Sequence, residues 1–330
     1  MPGIGVGRGN QLAGPLTSRI GARPAVIVGG IGQAVLLPFL AFAPDIWTMA
    51  AALLLFGAFL GVIEVGMNVH AVEVEKRADR PLMSGFHGLF SVGGFIGASM
   101  MTLALSAGLI AVTGAIVAAA LMIGILTLAA PRFILTPKAE ETPLFVVPRG
   151  IVILLALLAA LTFLTEGAIL DWGALLLNGK GLVPTAQAGL GYSVFAITMT
   201  FGRLTGDAVV ARLGDRRTML WGGMLAIIGY VVLLTAPVAM AAFVGFMLIG
   251  LGASNTVPVL FRQAGAQTAM PSGLAIASVT TVGYAGILAG PAGVGFVAQA
   301  IGLPNAFWML AAMLLLVPLY AGIATAATKN

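Results

Sequence analysis

Few residues in this 330-residue chain could do chemistry, and most of those stand inside long apolar runs. A charge within a membrane span costs about 2.5–3.5 kcal/mol on insertion scales, so an ionisable group there is a functional candidate. Glu166 lies in the run Gly150–Leu176, about 24 Å along a helix starting at Gly150. A carboxyl at that depth can exchange a proton or hold a substrate cation; the alternative is a glutamate hydrogen-bonded within the bundle to steady packing. Asp171 lies farther along and precedes Trp172, a pattern that fits an interfacial anchor as well as a working carboxylate. Glu64 and Asn68 are four residues apart and share a helix face, as a polar patch lining a cavity or as a packing pair. Arg203 and Asp207, also four apart, are spaced for an ion pair on one helix, structural in the first instance and able to take part in gating. Ser84 and His87 stand at the start of another run, where a histidine is more often a hydrogen-bonded structural group than a proton relay. In LGASNTVPVLF, Asn255 and Pro258 mark a break: proline frees a carbonyl in the preceding turn, and broken helices in transporters lie at binding sites. A simple kink explains the same residues.

Other chemistries have little to build on. The chain has no cysteine, hence no thiolate nucleophile, thiolate metal site or disulfide, and its two histidines form no HExxH. There is no G-x-S-x-G elbow and no G-x-x-x-x-G-K-[ST] loop, so the sequence points to no enzyme, no cofactor and no metal, and to an ion gradient rather than a nucleotide as the energy source. Sixty per cent hydrophobic residues, 8% charged and a mean hydropathy of +1.08 exclude an ordinary soluble domain, where about 25% of residues are charged. The net charge of +5 does not imply nucleic acid, because the basic residues sit singly in short loops.

The elements that must position these groups repeat. Leu12–Gly30 and Thr205–Gly223 match at a constant offset of 193: Arg19, Gly21 and Arg23 fall on Arg212, Gly214 and Arg216, and Gly29–Gly30 on Gly222–Gly223. Each copy is a basic turn between two apolar runs, which reads as two similar membrane halves joined in one chain. Apolar runs long enough to span, about 20 residues each, cover Pro24–Ala43, Trp47–Val69, Ser84–Ser106, Leu109–Ala130, Gly150–Leu176, Thr185–Val209, Thr218–Thr235, Met240–Phe261, Ser272–Ile301 and Ala306–Ala326. Pro2–Ala13 is too short to span and reads as the tail of a helix whose beginning is absent. The expected architecture is all-α and polytopic: a two-fold repeated bundle with a first half over 1–130, a linker over 131–149 rich in proline and charge, and a second half over 150–330. One set of loops and the C-terminus carries Arg19, Arg23, Lys76, Arg77, Arg80, Arg132, Lys138, Arg149, Arg212, Arg216, Arg217, Arg262 and Lys329, whereas the opposite loops hold only Lys180. The positive-inside bias places the turns, the linker and the C-terminus in the cytoplasm.

The paired turns, with R-x-G-x-R in both copies, around a central linker resemble the major facilitator superfamily. MNVHAVEVEKRADRPLMSGFHGLFSVGGFIG within Gly66–Gly97 and LTEGAILDWGALLL over Leu164–Leu177 are similar to a bacterial branch distantly related to fucose permease. The resemblance implies twelve helices in two halves, with the ten spans here standing as helices three to twelve. It implies secondary transport of a small solute across a bacterial cytoplasmic membrane, coupled to protons and carried out by a monomer. Glu166, Asp171, Glu64, Asn68 and Asn255 then stand as cavity or coupling residues. Arg19, Gly21, Arg23, Arg203, Asp207, Arg212, Gly214 and Arg216 stand as gating-turn residues. Ser18 and Ala211 occupy the places where the family's turn carries an acidic residue. The alternative is a non-transporting remnant or membrane binding scaffold.

Overall fold

A chain this apolar must satisfy its backbone hydrogen bonds internally, and helices do so within one segment. The computed structural model describes residues 20–135 and 147–326. Its helices are α1 (Ala22–Phe42), α2 (Ile46–Ala78), α3 (Met83–Ser106), α4 (Ala111–Ala129), α5 (Ile151–Gly179), α6 (Leu190–Leu213), α7 (Asp215–Thr235), α8 (Ala239–Ala253), α9 (Thr256–Ala266), α10 (Ser272–Ile301), α11 (Leu303–Leu314) and α12 (Leu316–Ala324). Taken with α8–α9 and α11–α12 as single broken helices, ten among the described residues are long and apolar enough to cross a membrane.

Three departures from the apolar runs have physical causes. Helix α2 continues to Ala78, past the expected end at Val69. Its last turns are polar but helix-forming, and Glu73 accepts a hydrogen bond from Lys76 at 3.1 Å, the i,i+3 spacing that steadies a solvated turn. Helix α6 starts at Leu190 instead of Thr185, because Thr185–Gln187 forms a separate 3-10 turn. The run expected over Met240–Phe261 is interrupted at Ser254–Asn255, with Pro258 in the first turn of α9, where a missing N–H leaves no bond unmade.

The chain forms two compact units. The first comprises Met1–Ala78, Phe90–Pro148 and Met270–Thr281. In it α1 crosses α2 at Gly29, where an added Cβ would lie 2.8 Å from the backbone nitrogen of Ile63, and Gly66 faces Ala25 and Val26. Small residues let helix backbones approach closely in lipid, where no hydrophobic force drives them together. Around this crossing Ala25, Val62, Val65 and Ala277 form a buried cluster. Val28, Ile31, Val35, Phe39 and Phe42 of α1 are exposed, an apolar stripe suited to lipid. Asp45 caps α2: its Oδ1 accepts the N–H groups of Thr48 and Trp47, each at 2.9 Å, and its Oδ2 accepts the Thr48 hydroxyl at 2.8 Å. These bonds, those of Thr48 foremost, hold its carboxyl below the usual 3.8. The cap is therefore present above that pH and is lost as pH falls through the lower folded value.

The second unit comprises Asp79–Leu89, Arg149–Ala269 and Val282–Asn330. Its α7–α8 hairpin uses the device of α1–α2: Gly222, which corresponds to Gly29, lies against the carbonyl oxygen of Gly252, at 2.7 Å from an added Cβ. The turns before the two hairpins share a backbone conformation that glycine alone adopts readily, φ 90° and ψ 157° at Gly21, φ 77° and ψ 162° at Gly214. Gly29→Ala should force α1 from α2 and cost about 1–3 kcal/mol, seen as a lowered melting temperature in detergent. Gly93→Ala, where nothing stands within 4 Å, should leave the melting temperature unchanged.

Candidate functional site

The polar centre of the second unit is built on one face of α6. Gly202, Arg203, Gly206 and Asp207 recur there at helical spacing. Arg203 Nη2 stands 3.5 Å from Oε1 and 3.4 Å from Oε2 of Glu166 on α5. Only 10% of the arginine side chain and 16% of the glutamate side chain are exposed. In such surroundings each charge needs the other, since an isolated buried ion is costly. Charge-assisted N–H···O bonds usually measure about 2.7–2.9 Å, so this is a pair in loose contact that can part without breaking a tight fork.

Asp207 faces the start of α3. Its Oδ1 accepts the N–H of Ser84 at 2.9 Å and its Oδ2 that of Gly85 at 2.8 Å. These are the N–H groups that a helix start leaves without internal partners, and a carboxylate there also meets the positive end of the helix dipole. Gly85 must be small, because an added Cβ would lie 2.5 Å from Asp207 Oδ2. The spacing of Arg203 and Asp207 predicts a pair within α6; the structure gives each a partner on another helix, which their own spacing could not reveal.

The interruption between α8 and α9 is tied to the same face. Asn255 Nδ2 donates to the Gly202 carbonyl at 3.2 Å and to Ser254 Oγ at 3.0 Å, and Ser254 Oγ donates to the Leu251 carbonyl at 2.7 Å. Gly206 leaves room for both Asn255 and Ser84. The His87 ring stacks on Phe261, centroids 5.7 Å apart at 25°, within electrostatic reach of Arg203. Tyr192, half-buried on α6, lies within electrostatic reach of Glu166, Arg203 and Asp171.

The structure thus gathers Glu166, Arg203, Asp207 and Asn255. Asp171 is exposed and lies about 140° around α5 from Glu166, at roughly 100° per residue, so it does not join the pair. Trp172 beside it sets its ring against Gly295 of α10 and buries its indole N–H. Glu64 and Asn68 belong to the first unit and are buried there; Asn68 Nδ2 donates to the backbone carbonyl of Glu64 at 2.9 Å. Of the turn residues, Gly21 and Gly214 start α1 and α7, Arg23 is half-buried, Arg212 and Arg216 are exposed, and Arg19 lies outside the described residues. An apolar groove of about 600 Å³ between α5, α10 and α11–α12 is lined by residues such as Leu154, Leu161, Val282 and Met313, none of them charged, so the polar chemistry is not there.

The sequence reading counts Arg262 only as a loop charge and passes over Asp215 and Gln263. Asp215, the first residue of α7, pairs with Arg262 and accepts from Gln263 Nε2 at 2.6 Å. The partners lie 47 and 48 residues away on α9, so no local spacing announces them. The repeat offset of 193 provides the one available signal: the corresponding positions in the first half are Ala22, Val69 and His70. An ion pair therefore secures the second turn where the first has apolar residues. Asp215→Ala should lower the melting temperature by the equivalent of about 3 kcal/mol, because Arg262 loses its buried counter-charge. Asp215→Asn, which keeps an acceptor, should fall between that variant and the parent.

Residues 1–260 match the family model described as Major Facilitator Superfamily. The chain is 48% identical over 318 residues to an uncharacterized MFS-type transporter of Yersinia pestis, covering 96% of this chain and 82% of that one. It is 31% identical over 310 residues to the membrane protein MosC of Rhizobium meliloti, covering 92% and 74%. Among solved structures, the E. coli fucose:proton symporter superposes with a TM-score of 0.77 at 15% identity, covering 97% of this chain and 89% of that one. A human organic anion transporter superposes with a TM-score of 0.79 at 18% identity, covering 97% and 82%. The helices, the repeated turns and the sequence match agree: the chain belongs to the major facilitator superfamily of secondary transporters.

Proposed function

We propose that this transporter moves a small polar or amphipathic solute across the bacterial cytoplasmic membrane together with protons, with Glu166 as the coupling group. The observation that carries the reading is the loose, largely buried contact between Glu166 and Arg203. When the guanidinium turns to a solute, the carboxylate loses its counter-charge and is neutralised by a proton, because a lone charge at that depth is unfavourable. When the solute leaves, the pair re-forms and the proton departs. Solute and proton are thereby bound and released together. The likeness to the E. coli fucose:proton symporter and to a proton:xylose symporter supports a polar solute.

In this reading residues 1–130 and 150–330 are the two halves, and alternating access exposes the site to each side in turn. The basic turns, the segment 131–149 and the C-terminus face the cytoplasm, on the strength of the basic bias. Glu64 with Asn68 serves the first half, and Asn255, bonded to α6 at the helix interruption, shapes the second. Asp171, exposed on α5, stands on the path by which protons reach Glu166 from outside. Gly21, Arg23, Gly214 and Arg216, with Arg19 and Arg212, form the gating turns.

Proteoliposomes loaded with the protein and offered radiolabelled hexoses, pentoses and monocarboxylates test this. The parent should accumulate one of these classes under an inward proton gradient. Glu166→Gln, which keeps the size and mimics the protonated form, should abolish accumulation while retaining solute exchange across the bilayer. Accumulation by Glu166→Gln with the parent's pH dependence would reduce Glu166 to a packing residue.

A further inference from the structure

The residues that follow α4 lie against the end of α2 within the first unit. Ala130–Arg132 forms one 3-10 turn, and Phe133, Ile134 and Leu135 follow it without helical structure. Three contacts hold them. The Phe133 ring meets the His70 ring edge-on, centroids 5.2 Å apart at 61°. The backbone N–H of Ile134 donates to His70 Nε2 at 3.1 Å. Arg77 Nη2 donates to the carbonyl oxygen of Leu135 at 2.8 Å. Both hydrogen bonds engage the main chain, so they fix the path of the segment whatever side chains it carries. Leu135 leads into the stretch that joins the two halves of the sequence, so the contacts fasten 133–135 of the linker 131–149 to α2.

An imidazole nitrogen can accept only while it carries no proton. Nε2 as acceptor therefore requires the neutral ring with its hydrogen on Nδ1. The protonated ring presents two donors, and the one at Nε2 would point at the Ile134 N–H. Histidine is the side chain whose ordinary titration, near pH ~6.5, falls in the physiological range. Burial of the ring first, and the charge of Arg77 second, weigh against its protonation. Among the described residues, the other charges at this end of the unit are Glu73 and Lys76, joined to each other, Glu75, buried on the same stretch of α2, Arg23 at the start of α1, and Arg132, which donates to the Leu128 carbonyl.

We propose that His70 and Ile134 form a proton-operated clip, which fastens the linker to α2 while the ring is neutral and releases it when the ring is protonated. Arg77 is the second, proton-independent fastening. With the linker in the cytoplasm, an acid cytoplasm opens the clip on 133–135, and a neutral one closes it. The clip is separate from the coupling role of Glu166 and stands whether or not that role does.

Hydrogen exchange of the Ile134 amide, followed by mass spectrometry on the full chain in nanodiscs, reads the clip directly. Rates are compared at about pH 7.5 and about pH 4.5, the lower value set well below the ordinary histidine range because burial and Arg77 oppose protonation, after correction for intrinsic exchange. In the parent, protection should fall about tenfold at the lower pH, as for loss of one hydrogen bond. His70→Phe, which keeps a ring against Phe133 but offers no acceptor, should show the low protection at both values. His70→Gln offers an acceptor that does not titrate, and its protection should not change with pH. Equal protection of the parent at both pH values, or a surviving pH step in His70→Gln, would overturn the proposal. The pH comparison on the parent needs no variant to fold.

Discussion

A charge in a medium without water must be neutralised, and the centre of the second unit is arranged around that requirement. Glu166 and Arg203 sit on neighbouring helices, largely buried, at 3.4 Å. Each makes the other tolerable, which ties α5 to α6 at the level of the pair. Asp207, one turn along α6, is satisfied by the start of α3 and so ties a third helix to the same face. Asn255 bonds to that face from the α8–α9 interruption. The polar groups thus determine which helices must meet, while the apolar residues are indifferent between lipid and a neighbouring helix.

What lets the helices come close enough is the absence of side chains at particular places. Gly202, Gly206 and Gly85 make room for Ser254, Asn255, Ser84 and Asp207. Gly29 and Gly222, at matching places in the two copies, let each hairpin close. In lipid, packing and hydrogen bonding replace the hydrophobic force as the source of association, so glycine matters there as much as a large apolar residue does in a soluble core. The repeated Gly21 and Gly214 turns start both hairpins with one backbone shape. Their surroundings have diverged: Asp215 and Arg262 secure the second turn, whereas Ala22 and Val69 occupy the corresponding places in the first.

Much of this was legible in the residues alone. Apolar run length gave the spans to within a few residues, because bilayer thickness imposes it. The ends strayed where helices outlast their apolar stretch, as α2 does with its Glu73–Lys76 turn. Glu166 and Arg203 could each be singled out as costly charges, but their meeting could not. They are 37 residues apart, and nothing in the spacing of either says which face of the next helix it will find. Arg203 and Asp207 show the converse: a spacing that fits a pair within α6 coexists with partners on other helices. The Asp215–Arg262–Gln263 cluster is hidden for the same reason, and the repeat alone hints at it.

The claim that Glu166 and Arg203 neutralise each other can be measured without knowing the solute. Melting temperatures of the purified protein would be compared for Glu166→Leu, Arg203→Leu and the double substitution. Breaking a buried pair from one side costs about 3–5 kcal/mol, whereas replacing both partners with apolar residues is often close to neutral. Each single variant should therefore melt well below the parent, and the double variant should recover most of the difference. If the two losses simply add in the double variant, the charges do not depend on each other and the pair is not what joins α5 to α6.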